Sequence, residues 1–252
     1  MNIVTRFPID DEAMRYLRGD AFSTGYDFPL PGNDPEGFRV DRYLYLEAAC
    51  RGKRALHLGC CDHAAMIRQK IAENRWLHGR LTAVAATCLG IDIDAEAVAM
   101  VREQIGYTNV VLADLSESVP PEVQAGKPWD VLVAGEIVEH LDNPVLFLAG
   151  LRAKLKGLCS EIIITVPNVF REDNFRRLRS GTECINSDHR YWFTPYTLAK
   201  VMTRAGFTPL RFGFVESSVP PRPRSIKNAL QQSRRKRYPA LRDTLIMVAR
   251  FD

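Results

Sequence analysis

The chain contains no GxGxxG run, no CxxC pair and no Cys-His cluster. The first absence argues against a dinucleotide pyrophosphate site, and the other two argue against structural zinc. Its six cysteines have no regular spacing, and two of them, Cys60 and Cys61, are adjacent. A disulfide framework is therefore excluded, and reduced, mostly buried thiols are expected. Apolar runs such as Ile162 to Ile164 fall far short of the ~20 residues that a membrane helix needs. The opening MNIVTRFPIDDE has no apolar core of the kind found in secretion signals, so a cytoplasmic location is expected. Acidic residues are missing between Ser217 and Arg242, where Arg222, Arg224, Lys227, Arg234, Arg235, Lys236, Arg237 and Arg242 collect. These eight cations exceed the formal net charge of +4, so the rest of the chain is net acidic. Such an island suits an anionic partner, either a phosphate group or an anionic membrane surface at the inner face, and its plainer reading is a solvated helix face.

With 252 residues, 46% hydrophobic and 25% charged, the chain fits one domain. Residues 1–36 read as a lead-in, with a short helix around Asp11 to Arg18 and aromatics Tyr26 and Phe28 placed to cover a site. A helix over Gly37 to Ala49 follows. Strand and helix patterns then alternate. Strands are expected at Ala55 to Leu58, Cys88 to Ile91, Val110 to Leu112, Asp130 to Ala134 and Glu161 to Val166. Helices are expected at Ala64 to Glu73, Leu77 to Ala86, Ala95 to Ile105 and Pro144 to Leu155. Repeated βα units predict an α/β fold, a doubly wound and mostly parallel sheet covered on both faces. Helical pattern at Val169 to Leu178 and Pro195 to Ala205 precedes apolar alternation at Leu210 to Val215 and Thr244 to Phe251. The last two segments predict an antiparallel C-terminal strand pair joined by the basic insertion, residues 217–242.

Two strand-turn-helix units carry the strongest chemical signal. In RALHLGCCDH, Gly59 opens a turn after the first strand and Asp62 stands at a helix N-cap; in CLGIDIDAEAV, the second strand ends on Asp92 and Asp94 caps the next helix. A glycine permits close backbone approach, and a carboxylate at a strand tip offers two acceptors to a ribose diol. In a doubly wound sheet the ligand sits at the carboxyl ends of the strands, which points to 59–63, Asp92, Asp114, 135–140 and Pro167-Asn168.

These segments, in this order, resemble the class I S-adenosylmethionine-dependent methyltransferases over about Arg39 to Asp252. LGCCDH keeps Gly59 of that family's glycine turn, but Cys61 and His63 stand at the other two glycine positions and His57 at the acidic one. GIDID resembles the second motif, implying that Asp92 holds the ribose hydroxyls, with Ile93 beside it. LADLSE resembles the third, implying that Asp114 accepts from the adenine amino group alongside Leu115. WDVLVAGEIVEHLDNP and DHRYWFTPYTLAKVMTRAGF resemble segments of the small-molecule branch. The resemblance implies an S-adenosylmethionine site made by Gly59, Cys60, Cys61, Asp92, Ile93, Asp114, Leu115 and Glu136, with no metal, and O-methylation of a small-molecule, lipid or glycan acceptor. Substitutions at positions 61 and 63 would crowd the turn if its backbone needed positive φ there. If a hydroxyl is methylated, a base must stand near it, and His140 and His189 are the candidates. The plainer reading of His140 is a hydrogen bond at a helix start, and His78 reads as structural. A non-catalytic binding protein of this fold remains an alternative, favoured by His57, Cys61 and His63. Nucleic-acid methylation is another, but TVPNVF follows the fifth strand where the amino-methylating enzymes have Asn-Pro-Pro-aromatic, and no Pro-Cys pair offers a nucleophile.

Overall fold

The computed structural model describes residues 7–62, 64–219, 223 and 225–251. The chain runs β1 (Phe7–Pro8), α1 (Asp11–Arg18), α2 (Arg42–Cys50), β2 (Arg54–Leu58), α3 (Ala64–Ala72), α4 (Leu77–Val84), β3 (Thr87–Asp92), α5 (Ala95–Met100), β4 (Val110–Leu112), α6 (Pro121–Ala125) and β5 (Trp129–Gly135). It continues through α7 (Pro144–Leu155), β6 (Cys159–Pro167), α8 (Glu172–Arg179), α9 (Pro195–Arg204), β7 (Thr208–Val215), α10 (Ile226–Arg237) and β8 (Thr244–Arg250). Short 3-10 turns occupy Gly37–Arg39, Val138–His140 and Pro239–Leu241, and a π-helical turn, Val101–Ile105, extends α5.

The strands form one sheet in the order β1-β7-β8-β6-β5-β2-β3-β4. Neighbours from β4 to β6 pair in parallel, and β8 is antiparallel to both β6 and β7. Strand order reverses between β2 and β5, which opens a crevice at their carboxyl ends.

Side-chain alternation divides the sheet into two cores. Leu56, Leu58, Leu132, Ala134, Ile162 and Ile164 face the core that includes Leu148 of α7 and Met202 of α9. Ala55, Val131, Val133 and Ile163 face the other, with Leu46 of α2 and Leu81 of α4. His57 follows the second parity and meets His78 of α4, with the two Nδ1 atoms 3.4 Å apart. Local capping agrees with the sequence at several ends: Asp94 accepts from the Ala97 N–H, Asn143 from the Leu146 N–H, and Thr194 and Thr197 form a capping box ahead of Pro195.

The structure departs from the sequence reading at identifiable points. Asp62, expected to cap α3, pairs with Lys70, and the residue directly before α3, His63, lies outside the described residues. Helix α8 starts at Glu172 and not at Val169, because the Val169 N–H donates to the Phe193 carbonyl and the buried Asn168 side chain donates to the Ala240 and Arg242 carbonyls. Tyr26 and Phe28 pack on Tyr16, Tyr196 and Phe212. The basic insertion contains a helix, α10, capped by Ser225. Strand β1, two residues paired to β7, carries no periodic signal of its own. All six cysteines are free thiols, and four are buried. Among the described residues no helix is long and apolar enough to cross a membrane.

Candidate functional site

The crevice between the ends of β2 and β5 encloses about 320 Å³ and is lined by Gly59, Cys60, Cys61, Asp92 and Glu136, together with Arg42, His57, Lys70 and Trp76. Gly59 has φ +65°, a conformation that favours glycine, and a Cβ there would lie 2.8 Å from Cδ1 of Ile137, whose side chain would have to shift. Its N–H donates to the Ile91 carbonyl at 2.8 Å, which ties the turn after β2 to the end of β3. Cys61 is not among the residues with positive φ. Cysteine therefore costs no backbone strain at this second glycine position. His63, at the third position, lies outside the described residues.

Asp92 is buried, and its Oδ2 accepts from the Cys61 N–H at 2.7 Å while Oδ1 accepts from the Asp94 N–H at 3.1 Å. Burial lifts its pKa above the ordinary aspartate value, against the pull of the Cys61, Asp94 and Ile93 N–H groups. A carboxylate offers about four lone-pair sites, so acceptor capacity remains for a ligand hydroxyl.

Glu136, at the end of β5, has φ +57°, an uncommon conformation for a non-glycine residue. Its Oε1 accepts from the buried Thr165 hydroxyl at 3.1 Å and lies 3.8 Å from Arg42 Nη1. Burial, with His78 and Arg42 nearby, holds His57 well below the ordinary histidine value. A neutral imidazole therefore lines the crevice where the family resemblance places an acid. Burial also lowers His78, to about 4. The hydrogen bond to Cys61, with burial, pushes the Cys60 thiol up, so it stands as a neutral packing group.

Not all of the expected residues reach the crevice wall. Ile93 is 71% exposed at its rim, and the Leu115 side chain belongs to the core. Asp114 accepts from the Ser116 N–H at 2.7 Å, close to the site because the Ala113 N–H donates to the Asp92 carbonyl.

A second cluster lies just past β5. His140 Nδ1 is 2.9 Å from Asp188 Oδ2, a contact between residues 48 apart in sequence, and the His140 and His189 rings meet edge to face with centroids 4.5 Å apart. Glu139 is fully buried beside them, and neither of its oxygens has a hydrogen-bond partner among the described residues; the same holds for His189 Nδ1. Burial and the neighbouring Glu136 push the Glu139 carboxyl up to about 8. Burial and His140 lower His189. Sequence reasoning quoted Glu139 within EIVEH and gave it no role, since nothing local distinguishes an orphaned glutamate from a surface one. Arg42 and Trp76 carried no signal at all. Beyond the cluster, α8 and the following loop enclose an apolar cavity of about 590 Å³ lined by Phe170, Phe175, Leu178 and Trp192 among others.

The basic stretch is partly neutralised by acids from elsewhere in the chain. Arg234 and Arg235 pair with Glu172, Arg235 also with Glu216 and Asp243, and fully buried Arg242 with Asp34. Arg222 and Arg224 lie outside the described residues. A cleft of about 410 Å³ between α8 and α10 retains Arg176, Arg179 and Lys227 with Arg234 and Arg235, against Glu172 and Asp173.

No family model matches the chain, and no curated protein does. Among solved structures, the chain is similar to a SAM-dependent methyltransferase from Aquifex aeolicus, with 13% identity, a TM-score of 0.50, and coverage of 87% of this chain and 95% of that one. It is also similar to the small RNA methyltransferase HEN1, with 16% identity and a TM-score of 0.50, over 83% of this chain and 24% of that chain. The likeness is one of fold: the chain adopts the doubly wound sheet with an antiparallel strand pair seen in S-adenosylmethionine-dependent methyltransferases.

Proposed function

We propose that the protein is an S-adenosylmethionine-dependent methyltransferase acting on an oxygen of a small-molecule, lipid or glycan acceptor. The observation that carries this reading is the glycine turn at Gly59, locked at φ +65° and facing the buried Asp92 carboxylate where strand order reverses. That pairing presents open backbone and two acceptors to a nucleoside. The residues fit the cofactor. Gly59 and Cys61 would border the cofactor, Asp92 would take the ribose hydroxyls, Glu136 and the neutral His57 would face the amino acid end, and Asp114 with the Leu115 backbone would meet the adenine. The cofactor supplies a methyl group on a sulfonium, already a good electrophile, so the protein's task is to align the acceptor.

His140 and His189 stand where the acceptor proton must leave. Asp188 fixes His140 by its Nδ1 contact, which leaves Nε2 with the lone pair. The apolar cavity beside α8 suits the body of an acceptor, and the cleft between α8 and α10 suits a phosphate that the acceptor carries or an anionic membrane headgroup. Calorimetric titration with S-adenosylmethionine and S-adenosylhomocysteine tests the reading: micromolar binding of both is expected. Absence of binding to either would favour a binding protein that keeps the fold without the cofactor.

A further inference from the structure

We infer that Glu139, His140 and His189 form a binding site for one divalent metal ion, with an oxygen of the acceptor as a further ligand. One ligand atom from each of the three residues falls within 4.8 Å of the others, a separation that a single ion can span. Glu139 is fully buried with both oxygens unpartnered among the described residues, and the buried His189 Nδ1 is likewise unpartnered. An orphaned carboxylate and an orphaned imidazole nitrogen side by side are costly in an apolar setting, and a cation satisfies both.

Asp188 completes the arrangement from outside. Its Oδ2 lies 2.9 Å from His140 Nδ1, so Nδ1–H donates to it and Nε2 is the nitrogen free to bind, the usual carboxylate support of a metal-bound histidine. Two imidazoles and one carboxylate favour Zn²⁺, Co²⁺ or Mn²⁺ over Mg²⁺ or Ca²⁺, which prefer all-oxygen shells. Three protein ligands leave a coordination position open, as in sites that bind a substrate oxygen. With the ion bound, His140 and His189 act as ligands in place of the base role they would have without it, and the ion lowers the pKa of the acceptor hydroxyl so that its proton passes to solvent as the oxygen takes the methyl group. The acceptor's part in this inference rests on the methyl-transfer reading; the ion site itself does not.

The test is calorimetric titration of EDTA-treated, full-length protein with Zn²⁺, Mn²⁺ and Mg²⁺ in separate runs, without cofactor or acceptor. One Zn²⁺ or Mn²⁺ per chain is expected at micromolar Kd or tighter. Glu139→Gln and His189→Ala should each weaken it by roughly 100-fold or more, and Asp188→Asn by about tenfold, with melting curves confirming that each variant folds. Co²⁺ loaded in place of Zn²⁺ should give a visible d–d absorption spectrum that Glu139→Gln abolishes. Absence of saturable binding, binding unchanged in Glu139→Gln, or preference for Mg²⁺ would overturn the site. S-adenosylhomocysteine is titrated in parallel into metal-free protein: ion binding without cofactor binding overturns only the methyl-transfer reading, and cofactor binding without ion binding overturns only the metal site.

Discussion

Two buried carboxylates at the carboxyl edge of the sheet have opposite surroundings. Asp92, at the end of β3, receives backbone N–H groups on both oxygens, so the fold itself stabilises its charge. Glu139, past the end of β5, is more deeply buried, and neither of its oxygens has a hydrogen-bond partner in another described residue. The first environment is complete before a ligand arrives and offers only its spare lone pairs. The second is incomplete among the described residues, and the proposed ion would supply the missing partner. The satisfied group belongs to a preformed crevice, and the orphaned one is the group that the proposed ion would satisfy.

The contrast is tested most strongly by stability. Asp92→Ala leaves the Cys61 and Asp94 N–H groups without their acceptor, so urea unfolding should show a loss of about 3 kcal/mol. A loss below 1 kcal/mol would mean that the carboxylate does not pin the turn after β2. The neighbouring imidazoles give a pH dependence of similar size. His78 has a folded pKa near 4, below its unfolded value, so its contribution is full above about pH 6.5 and is lost as pH falls toward 4. Unfolding free energies across that window should drop by roughly 3 kcal/mol, and His78→Leu should flatten the decline. An equally steep decline in the variant would place the acid-labile group elsewhere. Cofactor affinity is a smaller effect: Asp92→Ala should weaken S-adenosylhomocysteine binding by at least tenfold, about 1.4 kcal/mol. Unchanged affinity would move the nucleoside away from β3. The orphan gives an effect of opposite sign to that of His78. Glu139 has a folded pKa raised to about 8, so any stability it lends is present below its unfolded value near 4.5 and lost as pH climbs past 8. Metal-free Glu139→Gln at pH 8.5 should match or exceed the parent in urea. A clear loss would show that the charged side chain has a partner after all.

Much of this was legible in the residues themselves. Alternating apolar segments gave the strands, and Asp94 and Pro144 marked helix starts because capping and the first helical turn are local chemistry. Gly59 and Asp92 could be read because a turn and a strand tip carry their function in their immediate neighbours. Other features had no local trace. The irrelevance of positive φ at Cys61, the pairing of Asp62 with Lys70, and the neutralisation of Arg242 by Asp34 depend on partners supplied by other segments.

The sequence by itself determined the alternation of strands and helices, the place of the glycine turn and the acid that faces it, since each follows from side-chain period or from a backbone preference within a few residues. Tertiary structure alone decided that His140 meets Asp188 and His189, that the Glu139 oxygens are buried without a partner in another described residue, and that Arg234, Arg235 and Arg242 pair with acids of their own chain. Those outcomes depend on burial and on which distant groups come within a few ångströms, and both are properties of the packed sheet and not of any one segment.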